Sequence, residues 1–340
     1  MHGSATQATL NVRIMELIFH GAVFLGCALI LYVSGEWVVH GLMRLSRVLH
    51  VREFVVAFFV MATAASLPNL FVGITSAMAG IPELSLGDVF GNNLIAMTLA
   101  ISAGVFFTRR HSIAVHSETV RTSMLFMAVS AVFPVLLLTD GQLGRVDGVL
   151  LIGLFLFYVR WLLSQHERFS KKYNGLHMHS QKEFLKHARL AVKDTAKVAA
   201  GVSLLVIAAY GIVSSASFFA AYFELPLLLI GLLIVGLGNA LPEVYFSIAS
   251  AGRGDTALIM GNLVGAVIVP ATLILGIVAL ISPIYVDGLE FLTGSRVFLL
   301  VSAALFFLFA TTRRRIGPFE AGLLTLLYIA FVVWTVLAAS

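Results

Sequence analysis

The chain has 340 residues, 59% of them apolar and only 11% charged, whereas soluble domains carry about 45–50% apolar and about 25% charged residues; a soluble globular protein is excluded. A single cysteine, Cys27, excludes a disulfide framework, an iron–sulfur site and a zinc finger together. The net charge of +5 raises the possibility of nucleic acid, and where the basic residues fall decides against it.

Apolar blocks long enough for a bilayer, which takes about 20 residues per helix, fall at 14–33, 53–79, 86–107, 122–139, 147–164, 198–222, 226–251, 257–281, 296–312 and 318–338. The first lacks the basic lead and small-residue cleavage site of a secretory leader and reads as a span; Cys27 inside it reads as a small hydrophobe. The second contains Ser66-Leu67-Pro68-Asn69, where proline removes a backbone donor and is expected to break helix 2. The third opens on Leu86-Gly87-Asp88-Val89-Phe90-Gly91-Asn92-Asn93. After the fifth comes the one sizeable polar stretch, 165–197, with His177 and His179, which have no acidic or cysteine partners and read as a solvated loop. The seventh carries Ala240-Leu241-Pro242-Glu243, a second expected break, and the eighth Gly261-Asn262 and Gly265. Trp37 and Trp161 lie near span ends, as interfacial anchors do.

The polar stretch divides the spans five and five. At an offset of 174 the halves repeat: between 67 and 99, eleven of thirty-three positions are identical, among them Pro68/Pro242, Gly80/Gly254, Gly87/Gly261 and Gly91/Gly265. Five is odd, so the halves enter the membrane from opposite sides. The predicted fold is therefore all-α and integral to the membrane, with ten transmembrane helices in two inverted five-helix repeats, helices 2 and 7 broken. The repeats are 1–164 and 198–340, joined by the basic loop 165–197. Threading the spans puts eighteen Lys and Arg residues on one side and only Arg13, Arg145 and Arg296 on the other, with Arg160 near the end of its span. This predicts basic loops in the cytoplasm and both termini outside, with the lipid bilayer as partner and no nucleic acid.

Inverted repeats with interrupted helices put a binding site near the midplane, where the halves meet. Glu243 lies mid-span and Asp88 at the start of helix 3; a carboxylate at such depth is costly and points to function. Ser66, Asn69, Asn92, Asn93, Asn239 and Asn262 surround them in the two repeats. Carboxylate, amide and main-chain oxygens suit hard cations such as calcium or sodium rather than zinc or copper. Gly87/Gly91 and Gly261/Gly265 recur four apart, which allows close packing and is expected to bring helix 3 against helix 2, and helix 8 against helix 7. His20 reads as a structural histidine. No phosphate-cradling lysine loop and no nucleophile–base motif occurs, so the chain does not read as an enzyme.

These residues resemble the calcium/cation antiporter superfamily, which includes sodium/calcium and proton/calcium exchangers. Its two repeats typically read Gly-Thr-Ser-Leu-Pro-Glu, then Gly-Asn-x-x-Gly-Ser-Asn about twenty residues on. Here the second repeat reads Gly238-Asn239-Ala240-Leu241-Pro242-Glu243, then Gly261-Asn262-Leu263-Val264-Gly265-Ala266-Val267. The first reads Ala64-Ala65-Ser66-Leu67-Pro68-Asn69, then Gly87-Asp88-Val89-Phe90-Gly91-Asn92-Asn93. Asp140-Gly141-Gln142-Leu143-Gly144-Arg145-Val146-Asp147-Gly148 is also similar to the family. The resemblance implies a secondary cation antiporter of the cell (inner) membrane. Calcium would be exchanged for protons or sodium, with helices 2, 3, 7 and 8 forming the site and helices 1 and 6 sliding. It implies a ligand set of Glu243, Asn69, Asp88, Asn92, Asn239, Ser66 and Asn262; the cation is cargo and no resident cofactor is expected.

The departures bear on the ion. Family members use one acid per repeat, and here the first is Asn69. The supporting Thr and Ser positions are Ala65 and Ser66, then Asn239 and Ala240; on helices 3 and 8 the polar positions are Asn92, Ala96, Ala266 and Pro270. A divalent ion facing one carboxylate keeps net positive charge in low dielectric, which is expensive. Either Asp88 joins the site, or the cargo is monovalent, or the ion stays partly hydrated. The alternatives are a monovalent-cation/proton exchanger, an exchanger of another solute, and a non-transporting scaffold or regulator.

Overall fold

The computed structural model describes residues 2–48, 66–109, 112–114, 118–164, 184–254, 256–286, 289–312 and 314–339. The pair His177/His179 and the stretch 53–65 of the second block lie outside them.

The first half contains α1 (His2–Val48), α2 (Leu67–Met78), α3 (Glu83–Phe107), β1 (Ile113–Ala114), α4 (Glu118–Leu137), β2 (Gln142–Leu143) and α5 (Arg145–Ser164). The second contains α6 (Phe184–Phe223), α7 (Leu227–Arg253), α8 (Thr256–Ile268, Val269–Ile274 and Leu275–Ile281), β3 (Ile284–Tyr285), α9 (Leu289–Thr312), β4 (Arg315–Ile316) and α10 (Pro318–Ala339). Among the described residues nine of these helices are long and apolar enough to cross a membrane, and α2 is a shorter apolar helix.

The repeat seen in sequence is a repeat of structure. In α3 the α-helical geometry gives way to a π turn at Ala96–Ala100 and resumes at Ile101–Phe107. At the 174 offset, α8 does the same at Val269–Ile274 and resumes at Leu275–Ile281. The ends of α2 and α7 match too, each closed by a glycine in the left-handed region, Gly80 at φ 76° and Gly254 at φ 81°, a conformation that costs glycine nothing. Two antiparallel ribbons join the halves: β1 with β4 (Ile113 opposite Ile316) and β2 with β3 (Leu143 opposite Ile284). The repeat exchanges one ribbon for the other.

Burial sorts the helices. The most apolar stretches of α3 and α8 are 83% and 78% buried, against 11% in α1 and 22% in α5 and α10. α3 and α8 are thus the central pair, and one core gathers them with α4, α5, α9 and α10. A second core joins α1, α6 and Val72 of α2. There α1 and α6 run antiparallel, with His20 stacked on Phe218 at 4.0 Å and Cys27 against Gly211.

Two expectations are corrected. The run through Pro242 is helical, and the departure in helix 7 comes earlier, as a π turn at Gly231–Val235. The helix continues through the proline although its ring removes a backbone donor, with Gly238 four residues before it. In helix 2, by contrast, α2 begins at Leu67 with the proline in its first turn, the position proline tolerates best. Finally, α6 starts at Phe184, inside the stretch read as loop, because Ala, Leu, Lys and Arg there are strong helix formers.

Candidate functional site

The site is built on a seam between α3 and α7. A Cβ on Gly87 would stand 2.1 Å from the Leu228 carbonyl oxygen, and one on Gly91 2.1 Å from that of Leu232. From the other side, Gly231 and Gly236 meet Leu84, Asp88 and Gly91 at backbone distance. Glycine on both faces is what permits the contact. The predicted packing of these glycines against helix 2 is therefore wrong as to partner: they face α7. A Cβ on Gly261, their repeat mate, would meet nothing within 4 Å.

The close crossing sets side chains of opposite repeats together. Asn239 Nδ2 donates to Asp88 Oδ1 at 2.9 Å. Asn92 Nδ2 donates to the carbonyl oxygen of Ala266 at 3.0 Å; Ala266 is the repeat mate of Asn92, so this bond lies on the pseudo-twofold axis. Each amide is anchored through its NH2 group, leaving the carbonyl oxygen as the group able to face a cation.

Both acids are in the interior, Asp88 fully buried and Glu243 6% exposed. Glu243 takes a hydrogen bond from its own backbone and lies close enough to Asp88 to feel its charge. Asp88 Oδ2, Glu243 Oε2, Asn92 Oδ1 and both polar atoms of Asn93 are buried without a hydrogen-bond partner. Buried polar atoms normally have one, so these unmet polar groups suit a ligand. Ser66 and Asn69 are buried at the start of α2, and Asn262 is half-buried on α8. At the seam the polar contacts across the halves run through Asp88, Asn239 and Asn92, while Ser102, Thr108 and Arg296 bond across the halves elsewhere.

Asn93, Ser247 and Ser250 were not among the predicted ligands, yet Ser247 Oγ and Ser250 Oγ are also buried and unpartnered. Their spacing from Glu243, four and seven residues, places all three on one helix face and was readable. Among the described residues no three His, Cys, Asp or Glu side chains form a cluster. A cation here would meet two carboxylates and neutral oxygens, a hard-cation set.

The sequence matches the model of the sodium/calcium exchanger protein family over residues 19–164 and 194–337. The chain belongs to that family. It is thus an exchanger-type transporter, a multi-pass integral membrane protein and not an enzyme. Relatives include the inner membrane protein YrbG of Escherichia coli K12, 28% identical over 323 residues covering 94% of this chain and 96% of that protein. The putative antiporter CaxA of Alkalimonas amylolytica is 25% identical over 320 residues, 91% of this chain and 96% of the other. The solved sodium–calcium exchanger NCX_Mj, 23% identical, shares the fold with a TM-score of 0.60 over 93% of this chain and 99% of that one.

Proposed function

We propose that this exchanger moves calcium against protons or sodium by alternating access, with Glu243 as the main cation-binding carboxylate and Asp88 as its partner. The observation that carries the reading is the α3–α7 seam, where two buried carboxylates from opposite repeats keep an oxygen without a partner. Two negative charges match a divalent ion, and the anchored amides of Asn92 and Asn239 offer further oxygens; Ser66, Asn69 and Asn262, in the matching motifs of α2 and α8, complete the proposed ligand set. A proton on Glu243 competes with the cation for one group, and that competition couples the two fluxes. α1 and α6, joined in their own core, are the pair that slides. The family relatives, one named an inner membrane protein and one a putative antiporter, support a cell-membrane antiporter with its basic loops in the cytoplasm.

The test is uptake into liposomes holding the purified protein. Calcium should enter when a proton or sodium gradient is applied, and Glu243→Gln should abolish it. Flux that survives this substitution removes the site assignment. Asn69, standing where the family has an acid, favours a second reading in which the cargo is monovalent. Sodium or potassium flux without calcium flux would select it, and no flux with no ion-dependent thermal stabilisation would select a scaffold.

A further inference from the structure

The corners that lead into α5 and α10 are built alike. Each runs as a bend, a two-residue strand and a helix start. In each, the glycine before the helix donates its N–H to an acid three residues on, Gly144 to Asp147 at 2.8 Å and Gly317 to Glu320 at 3.0 Å. Each also opens on a residue in the left-handed region: Gly141 at φ 84° in the first corner, Arg314 at φ 52° in the second. Glycine adopts this conformation freely, whereas a residue with a Cβ does so at a cost. The fold thus keeps an arginine where its own repeat has glycine. The polar groups differ as well. In the first corner Asp140 accepts from Gln142 N at 3.2 Å and Gln142 Nε2 at 3.3 Å, so the corner closes on itself. In the second, Arg314 and Arg315 are exposed.

Two more arginines stand at this end. Thr108 Oγ1 donates to the Ala251 carbonyl oxygen at 3.5 Å, so α3 and α7 finish side by side; the exposed Arg109 and Arg253 follow directly. The β1–β4 ribbon, with Arg315 opposite Ala114, brings the second corner to the segment that continues from Arg109. Among the described residues none of these four guanidinium groups has a hydrogen bond or ion pair. The acid nearest in the chain to Arg315, Glu320, accepts from Gly317 N. On the opposite end, by contrast, the Arg296 guanidinium donates to the Leu138 carbonyl oxygen. Both α3 and α7 are long and apolar enough to cross a membrane, so arginines at their ends lie at the depth of the lipid headgroups. A guanidinium presents a planar fork of donors that matches phosphate.

We propose that Arg109, Arg253, Arg314 and Arg315 form a seat for the phosphate groups of acidic lipids, which holds the ends of the two seam helices at the membrane surface. Four like charges at one end repel one another, and an anionic headgroup relieves that repulsion. The bilayer supplies the anion because the seat lies where two spans end.

The experiment is thermal unfolding of the full-length exchanger in lipid nanodiscs, of phosphatidylcholine alone or mixed with phosphatidylglycerol of the same chain length. The unaltered protein should unfold several degrees higher in the mixed discs, by a margin that shrinks as sodium chloride is added. The fourfold variant Arg109→Gln, Arg253→Gln, Arg314→Gly and Arg315→Gln should lose most of that margin. Arg145→Gln, which removes an exposed charge on the opposite end, should keep it. Arg314→Gly alone should unfold no lower than the unaltered protein in phosphatidylcholine, yet lose part of the margin, as befits a residue that serves the lipid and not the fold. An equal margin in the unaltered and fourfold proteins, an equal loss in Arg145→Gln, or an Arg314→Gly variant that keeps the full margin would overturn the seat. So would a margin reproduced in phosphatidylcholine discs by sodium sulfate, which would assign the cluster to a dissolved anion. No transport is measured, so the result stands apart from the Glu243→Gln assay.

Discussion

Gly87 and Gly261 occupy the same place in the two repeats, yet the structure predicts opposite consequences for giving each a methyl group. In Gly87→Ala the new Cβ would lie 2.1 Å from Leu228 O and 2.8 Å from Leu232 N, more than 1 Å short of an ordinary separation of roughly 3.5 Å. Backbone cannot swing aside as a side-chain tip can, so α3 and α7 must part by about that amount. Asp88, the next residue, moves with α3, and its 2.9 Å bond from Asn239 stretches beyond hydrogen-bonding range. Overpacking costs about 1–3 kcal/mol, and losing a hydrogen bond to a charged group about 1.5–3 kcal/mol more. Gly261→Ala meets no atom within 4 Å and replaces glycine by a better helix former, so its change should stay within about 1 kcal/mol. Thermal unfolding of the purified exchanger, with and without calcium, reads both. Gly87→Ala should unfold several degrees lower and lose most of the rise that calcium gives, while Gly261→Ala keeps both values. Equal behaviour of the two variants would refute the seam as the place where the site is assembled.

Asn239→Ala removes the donor to Asp88 and should weaken calcium stabilisation by about ten- to a hundred-fold in concentration, the equivalent of about 1.5–3 kcal/mol; Asn239→Asp, which sets like charge against Asp88, should be worse in the same titration. Asp88→Asn should abolish calcium uptake, and adding Asn69→Glu, at the start of α2 where a helix N-terminus favours an anion, should return part of it; a double variant no better than the single would mean that the number of charges is not what matters. Gly294→Ala, whose Cβ would enter the Trp334 ring, should lower the unfolding temperature through about 1–3 kcal/mol of overpacking while leaving the calcium-dependent rise intact.

Much of this was written in local signals. Hydropathy marks spans because lipid demands long apolar runs, and paired Pro and Gly at one offset betray the repeat. Glu243 and Asp88 stand out because carboxylates are rare at that depth. What stayed hidden was relational. Gly87 and Gly91 announce a close approach without saying to which helix, so α7 was missed as the partner. Pro242 announces lost hydrogen bonding, but whether a helix breaks there or carries the proline through depends on its packing against other helices, which a local motif does not hold. Two-residue ribbons such as β1–β4 leave no periodicity at all. Ser247 and Ser250 were legible as a stripe below Glu243, but a serine among apolar residues gives no hint that its hydroxyl lacks a partner until the fold is known.

Two repeat-matched pairs, 69 and 243 on α2 and α7, and 88 and 262 on α3 and α8, hold Asn, Glu, Asp and Asn. At these pairs each repeat has one acid and one amide, but in exchanged places: the first repeat carries its acid on α3, the second on α7. The exchange keeps two charges while moving both onto the one seam where glycines lock backbone to backbone. On the proposed reading, two ionised carboxylates on that seam repel each other and a cation or a proton relieves the repulsion. The exchanger would then turn only when filled, because leakage would require passing through the one state its own charges oppose.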